Sequence, residues 1–168
     1  MNTKTPLLAL ALVVLVGCQS APSPTATPAP TPGATPGPPA PSGATGLVAD
    51  LVTGGANAKL GSFFLSEPIG GTGVSVCVGA ETVQVYEFID HEAALAASVK
   101  IDRDDPSHVG NGIVEWNGAP RFWLRDRVIV LYLGKAEATD AALRALLGQP
   151  FAESREPGLG LLPTPPCV

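Results

Sequence analysis

The sequence has few of the residues and motifs on which enzymes depend. Only two histidines occur among its 168 residues, His91 at a predicted helix start and His108 in a predicted loop. That placement does not favour a histidine-activated nucleophile or a two-histidine metal site. The motifs Gly-x-Ser-x-Gly, His-Glu-x-x-His and Cys-x-x-Cys are also absent. We therefore expect a protein that is not an enzyme and that needs no metal or cofactor.

The sequence also lacks an apolar run long enough to cross a bilayer. Its longest run, Leu7 to Val16, has ten residues, and as a helix it would span about 15 Å of a hydrocarbon core of about 30 Å. Lys4 precedes this run, and the small residue Gly17 follows it. A positive charge, a short apolar run and small residues, in that order, are typical of a secretory signal peptide.

The four residues Leu15-Val16-Gly17-Cys18 resemble the lipobox of bacterial lipoproteins, with Gly17 and Cys18 at its two most restrictive positions. The resemblance implies that residues 1–17 are removed, that the sulfur of Cys18 receives a diacylglycerol, and that its new amine is acylated as well, with a fatty acid such as palmitate. Two or three acyl chains anchor a protein stably. The alternative is an ordinary signal peptide in which Cys18 has no special role.

Gln19 follows the cysteine, where an Asp would resemble an inner-membrane retention signal. We therefore expect a lipid-anchored, extracytoplasmic protein of the cell envelope, placed on the outer membrane if the host has one. We then expect the protein to contact the membrane only through this lipid anchor.

Positive charge is sparse along the chain. Ten Lys and Arg stand against fifteen Asp and Glu, and the formal net charge is −5. Arg121, Arg125 and Arg127 form the only local basic group. Binding to nucleic acid or to anionic headgroups requires clustered Lys and Arg, so both are poor partners for this chain.

Charge is missing altogether from Gln19 to Ala49, and residues 21–45 hold nine of the eighteen prolines. Such a segment buries too little apolar surface to fold, which predicts a disordered tether of about 75 Å when extended. The chain then divides into a signal peptide (1–17), a Pro/Ala/Thr-rich linker (18–45), a globular domain (46–152) and a Gly/Pro-rich tail (153–168).

The chain has three cysteines. If Cys18 carries lipid, Cys77 and Cys167 remain in a compartment where disulfides persist. A bridge between them would close a loop of about 90 residues and stabilise the fold by about 3–5 kcal/mol. Two unpaired thiols are the alternative, and the sequence leaves both open.

The hydrophobic pattern of the domain predicts three helices and several strands. Val74–Val78 and Val83–Ile89 alternate around Gly79 as a hairpin. Asn117-Gly118 predicts a second hairpin, and the apolar run 128–133 a central strand. Helices are expected near 47–52, after an Asp90 cap, and after a Thr139-Asp140 cap up to Gly148. This order predicts an α+β fold: a two-layer domain with an antiparallel sheet of about five strands and helices mainly on one face.

Several segments carry a second resemblance. Residues 83–88, Ala119-Pro120-x-Phe122-Trp123, 128–134 and 146–151 resemble a group of small bacterial lipoproteins of unknown function, over about 47–151. The resemblance implies this architecture and an envelope location, and it implies no chemistry. The chain departs from the group at Arg125-Asp126, where a glycine is expected in the turn.

The acidic stretch Asp102 to His108 contains three carboxylates and a histidine. As a functional site it would bind a cation. Its spacing does not match a calcium-binding loop, and a solvated turn broken by Pro106 is the favoured interpretation.

Both tryptophans fall within ten residues, together with an additional aromatic residue and two arginines: Trp116, Arg121, Phe122, Trp123 and Arg125. Trp and Arg are enriched at contact hot spots, so these residues form a candidate surface for a protein or cell-wall partner. The alternative is that the aromatic side chains cover the sheet beneath a helix. We expect a non-catalytic binding or scaffold module; a small-ligand-binding domain, or an envelope hydrolase without a recognisable motif, is the second hypothesis.

Overall fold

The computed structural model describes residues 42–154 and Cys167. The predicted signal peptide, Cys18, most of the linker and residues 155–166 of the tail lie outside this part. The described residues form three helices and eight strands, in this order: α1 (Gly43–Thr53), β1 (Ala58–Phe64), β2 (Thr72–Val78), β3 (Glu81–Glu87), α2 (His91–Ser98), β4 (His108–Val109), β5 (Gly112–Ile113), β6 (Arg121–Arg125), β7 (Val128–Tyr132), α3 (Glu137–Leu147) and β8 (Ala152–Glu153).

Six of these strands form one antiparallel sheet in the order β1-β2-β3-β7-β6-β8. The predicted α+β class and antiparallel sheet are therefore confirmed. The sheet has six strands where about five were expected, because the short β8 pairs with β6 at one edge. The strands β4 and β5 pair with each other in a separate ribbon.

The two faces of the sheet bury different sets of side chains. We call the face that carries Val76, Val83 and Val130 face A; α1 and α3 pack on it through Leu47, Leu51 and Leu143. Face B carries Phe122, Ile129 and Leu131, which pack with Ala97 of α2 and with Ile101, Val109 and Trp116. Two of the three described helices thus lie on face A, as expected, and α2 lies on face B with the segment 99–120.

The first hairpin is confirmed. β2 and β3 pair in an unbroken register in which Val74 lies opposite Val85 and Val76 opposite Val83. Gly79 begins the connection with φ of 60°, a conformation that side chains other than glycine rarely adopt. The predicted central strand is also confirmed, since every residue of β7 is buried.

The second predicted hairpin is wrong. β5 pairs with β4, with Ile113 opposite His108, and β6 pairs with β7 and β8. Between β5 and β6 the chain packs across the end of β7: a Cβ on Gly118 would lie 2.0 Å from the carbonyl oxygen of Leu133. Gly118 therefore allows two backbones to approach closely, and the Asn-Gly pair does not form a hairpin turn.

The turn between β6 and β7 contains Asp126, with φ of 50°. Asp is one of the few residues other than glycine that enter this left-handed region. The backbone carbonyl of Asp126 lies 2.7 Å from Nδ1 of His91, at the start of α2. The absence of a glycine in this turn is thus compatible with its geometry.

α1 begins at Gly43, so the folded domain starts three residues before the predicted boundary at Gly46. This earlier start has a partner in the sheet: the carboxylate of Glu87, the last residue of β3, accepts a hydrogen bond from the backbone amide of Ala44. At the other end, Glu153 belongs to β8 rather than to the tail.

The helix caps agree with the sequence in α2 and differ in α3. The side chain of Asp90 accepts a hydrogen bond of 2.8 Å from the amide of Ala93, as predicted. In α3 the N-cap is Ala136 rather than Thr139-Asp140. The hydroxyl of Tyr132 accepts a 3.0 Å hydrogen bond from the amide of Ala136, which starts the helix one turn earlier. Gly148 ends α3 as predicted.

Candidate functional site

The three aromatic residues of the predicted binding surface lie in the core. Their exposed fractions are 8% for Trp116, 0% for Phe122 and 1% for Trp123. The prediction that these side chains form a contact surface is therefore wrong, and the alternative, in which they cover the sheet, is correct. The physical reason is that both faces of the sheet are covered here: Trp123 packs on face A with residues of α1 and α3, and Phe122 packs on face B with Trp116 and the segment after α2.

The indole nitrogens of both tryptophans are hydrogen-bonded within the fold. Nε1 of Trp116 donates to the carbonyl of Pro106 at 2.9 Å, and its ring meets Phe122 edge to face with centroids 5.6 Å apart. Trp123 lies on face A, and its Nε1 donates to the carbonyl of Gly148 at 2.9 Å. Both rings thus connect distant segments of the chain, which is a structural role.

Arg121 is also structural. Its Nη1 donates to the carbonyl of Gly134 at 3.0 Å, and its guanidinium carbon lies 5.3 Å from the ring centroid of Tyr132. Its Nε lies 3.4 Å from a carboxylate oxygen of Asp140 and 3.6 Å from one of Glu153. One guanidinium thus joins β6 to α3 and β8, so the prediction that Arg121 is presented to a partner is wrong as well.

Arg125 is the most exposed residue of the predicted surface. It forms an ion pair with Asp50 of α1, and both side chains are 41% exposed. Arg125 also borders a cleft of about 210 Å³ at the N-terminus of α1, together with Gly43 and Gly46. Asp50 pairs with Arg125, and Glu87 accepts a hydrogen bond from the first turn of α1. These contacts hold α1 on the sheet.

The acidic loop uses its carboxylates to fix its own turn. Asp102 accepts a 2.9 Å hydrogen bond from the amide of Asp104, and Asp105 accepts from the hydroxyl of Ser107 and lies 2.9 Å from Nδ1 of His108. The hydrogen bonds from Ser107, followed by those of His108, lower the pKa of Asp105. Within residues 42–154 and Cys167, no three His, Cys, Asp or Glu side chains converge to hold a metal ion.

The structure joins Cys77 and Cys167 in a disulfide, with Cα atoms 5.5 Å apart and a sequence separation of 90. Cys77 is buried in β2, whereas Cys167 is partly exposed. The sulfur of Cys167 lies 3.2 Å from the hydroxyl of Thr82 and 3.1 Å from the carbonyl of Glu81. The bridge thus fixes Cys167 beside the β2–β3 hairpin.

Sequence reasoning missed an apolar surface on β1. Phe63 is 77% exposed and Leu60 46%, and Leu65, just after the strand, is 93% exposed. A bulge between Leu60 and Phe63 changes the pairing, so that Leu60 lies opposite Val76 and Phe63 opposite Val74. Both apolar side chains therefore project on face A. We call Leu60, Phe63 and Leu65 the β1 surface. The apolar residues 63–65 are visible in the sequence, but their position at the edge of the sheet is not.

The two edges of the sheet differ. β1 has seven residues, of which Lys59 alone is charged, and pairs on one side with β2. β8 has two residues, and its Glu153 accepts a hydrogen bond of 2.6 Å from Arg144. Short, charged strands prevent unwanted pairing at a sheet edge. The edge at β8 is thus short and charged, whereas the edge at β1 is longer, with one charged residue and one bulge.

None of the helices in the described part of the chain has both the length and the apolar character needed to cross a membrane. The longest, α1 and α3, have eleven residues each.

No protein family matches the chain, and no curated protein and no solved structure gives a match.

Proposed function

We propose that this chain is a lipid-anchored protein of the cell envelope whose folded domain is a non-catalytic binding or scaffold module, carried outside the cytoplasm on a proline-rich tether. The sequence Leu15-Val16-Gly17-Cys18 supports the anchor through its resemblance to a lipobox. The disulfide between Cys77 and Cys167 is the observation that carries the location. Disulfides persist in oxidising compartments and are rare in the cytosol.

A non-catalytic role accounts for the charged side chains of the domain. Arg121, Asp140 and Glu153 hold α3 and β8 against the sheet, and Arg125 pairs with Asp50 of α1. Catalytic groups, by contrast, usually converge on a cleft where a substrate reaches them. These charged pairs connect elements of the fold to each other.

The β1 surface supports a binding role. Clustered exposed apolar side chains are typical of interaction sites, and Phe63 and Leu65 are both more than three-quarters exposed. The partner is then a protein with an apolar strand or groove. A cell-wall glycan would require polar contacts that this surface does not offer.

The anchor is tested by expressing the full chain in a bacterial host and separating detergent and aqueous phases. We expect wild-type protein in the detergent phase, with an N-terminal peptide that starts at acylated Cys18. Cys18→Ser should move the protein to the aqueous phase or leave residues 1–17 attached, whereas the neighbouring control Ser20→Ala should behave as wild type. Wild-type protein that starts at Met1 and stays aqueous would overturn the proposal.

Small-ligand binding is a second candidate function, because a groove of about 370 Å³ runs between the end of α1, the β2–β3 turn and α3. Its size is within the range of ligand sites. Small residues line it, among them Gly54, Gly79, Ala138 and Ala142, with Asn57 and Thr139 as polar groups. A ligand from the envelope should raise the melting temperature of the wild-type protein and not that of Ala142→Phe, which fills the groove.

A further inference from the structure

We propose that the outer edge of β1 is a self-association surface, through which two anchored copies of this chain pair antiparallel and join their sheets. The proposal rests on the lipid anchor proposed above. It deepens the binding role by naming the partner as a second copy. Pairing of this kind adds a strand to an open sheet edge, where backbone hydrogen bonds supply affinity and alternate side chains supply specificity.

The edge has the features that strand pairing needs. β1 has seven residues, which is about 24 Å at roughly 3.4 Å each. It pairs with β2 alone among the described strands. Proteins usually protect such an edge by short strands, charged side chains or bulges. Among the described strands, β8 is short and charged, whereas β1 is long and has only Lys59 and one bulge as protecting features. Of these two edges, β1 is therefore the more open to a partner.

The bulge in β1 gives the pairing an apolar contact. Because Leu60 and Phe63 project on the same face, an antiparallel second copy brings both pairs of side chains together on face A. In the single chain, the side chains of Leu60 and Phe63 are 46% and 77% exposed. Cross-strand pairs of aromatic and aliphatic side chains stabilise antiparallel strands, so the contact adds to the backbone hydrogen bonds.

Charge on the strand permits self-pairing. Lys59 is the only charged residue of β1, and a two-fold axis between Gly61 and Ser62, which sets Leu60 of one copy opposite Phe63 of the other, places the two copies of Lys59 at opposite ends. Five residues along a strand separate them by about 17 Å. That distance exceeds the screening length of about 8 Å at physiological ionic strength, so the two ammonium groups do not repel each other strongly.

The small area of the contact favours a second copy over a soluble partner. A single pair of seven-residue strands buries much less than the about 800 Å² per partner that stable complexes need. Such a contact forms only where the local concentration is high. Two copies anchored to one surface by tethers of about 25 residues, each reaching about 75 Å, satisfy that condition, because tethering makes the encounter effectively intramolecular.

The test uses the full lipidated protein in phosphatidylethanolamine and phosphatidylglycerol vesicles, with a short bis-maleimide as crosslinker. Ser62→Cys introduces a thiol in the exposed middle of β1. Because Cys77 and Cys167 are bonded to each other and Cys18 carries lipid, the introduced thiol is the one that reacts. Ile113→Cys is the matched control, since Ile113 is 73% exposed and lies in β5, outside the main sheet.

We expect Ser62→Cys to give at least about tenfold more crosslinked dimer than Ile113→Cys at equal surface density, a modest gain for tethered pairing. Detergent at the same bulk concentration should abolish the difference. Adding Phe63→Lys to Ser62→Cys should also abolish it, and Leu65→Lys, at a residue that is 93% exposed, serves as a second variant. Circular dichroism and the intact disulfide verify that each variant folds.

Equal dimer yields from the two thiols would overturn self-pairing, because they would report random collision. A dimer that survives both lysine substitutions would overturn it too. Flotation of the vesicles reports the anchor separately. Protein that floats without a preference for Ser62→Cys contradicts self-pairing alone, whereas protein that does not float contradicts the anchor and, with it, the pairing.

Discussion

The carboxylate of Glu87 accepts a hydrogen bond from the backbone amide of Ala44, which ties the last residue of β3 to the first turn of α1. A helix N-terminus has amide groups without intrahelical partners and a partial positive charge. Ser42, the residue at the usual capping position, makes no such bond with its side chain. A residue of the sheet thus acts as the cap of α1.

Glu87→Ala should therefore lower the free energy of unfolding by about 0.5–2 kcal/mol, the usual cost of a lost cap. Urea denaturation monitored by tryptophan fluorescence measures it. Glu115→Ala removes an exposed carboxylate that caps no helix, and it should change the stability by less than about 0.5 kcal/mol. Equal losses in both variants would contradict a capping role for Glu87.

The start of α1 shows what the sequence alone does not reveal. The helical spacing of Leu47 and Leu51 correctly predicts α1, and the alternation of valines correctly predicts the β2–β3 hairpin, because both patterns are local. The start of α1 depends on Glu87, which lies 43 positions away in sequence, whereas the start of α3 involves Tyr132, four positions before Ala136. A cap supplied from another part of the chain, as Glu87 is for α1, cannot be predicted from neighbouring residues.

The predicted binding surface failed for a related reason. Residues 116–125 are rich in aromatic side chains. This composition is found in contact surfaces and equally in the cores of folded domains. Whether Trp123 is buried depends on the packing of α1 and α3 on face A, which is decided by contacts between residues distant in sequence. The β1 surface was missed because no local signal distinguishes an edge strand from a central one when its residues are apolar.

Substitution of Trp123 tests the role of its indole ring in the core. Trp123→Ala should lower the free energy of unfolding by about 3–5 kcal/mol, as large-to-small core substitutions do. Trp123→Phe keeps much of the apolar volume and loses the hydrogen bond to Gly148, so it should cost less.

Phe63→Ala is the matched control, because this aromatic side chain is 77% exposed. It should cost less than about 1 kcal/mol. Chemical denaturation of the three variants gives the comparison. A folded Trp123→Ala protein of nearly wild-type stability would show that the indole ring is not a core element.

The disulfide should contribute strongly to stability. Cys77 and Cys167 are 90 positions apart, and closing a loop of that length removes about 4–5 kcal/mol of unfolded-state entropy in the chain-entropy model. We expect dithiothreitol to lower the midpoint of urea unfolding of the wild-type protein accordingly. The double variant Cys77→Ser/Cys167→Ser should have the same low midpoint with and without dithiothreitol, and a further decrease on reduction would show that the reductant acts elsewhere.

The two tyrosines of the chain, Tyr86 and Tyr132, should both resist ionisation in the folded protein. Burial raises the pKa of Tyr86 far above 10, and its hydroxyl donates a 2.8 Å hydrogen bond to Gln84. Burial, followed by the hydrogen bond to Glu81, raises the pKa of Tyr132 to about 12. Tyrosine in an unfolded chain ionises near pH 10.

Because both pKa values are higher in the folded state, the stability that the protonated tyrosines contribute is complete below about pH 10 and is lost as the pH rises beyond it. We expect the near-ultraviolet absorbance of tyrosinate to stay flat through pH 10 and to rise only together with alkaline unfolding, which circular dichroism follows in parallel. Glu81→Gln removes the negative charge beside Tyr132, so one tyrosine should ionise at a lower pH in that variant. A wild-type titration with one tyrosine ionising near pH 10 while the fold stays intact would contradict the burial of these hydroxyl groups.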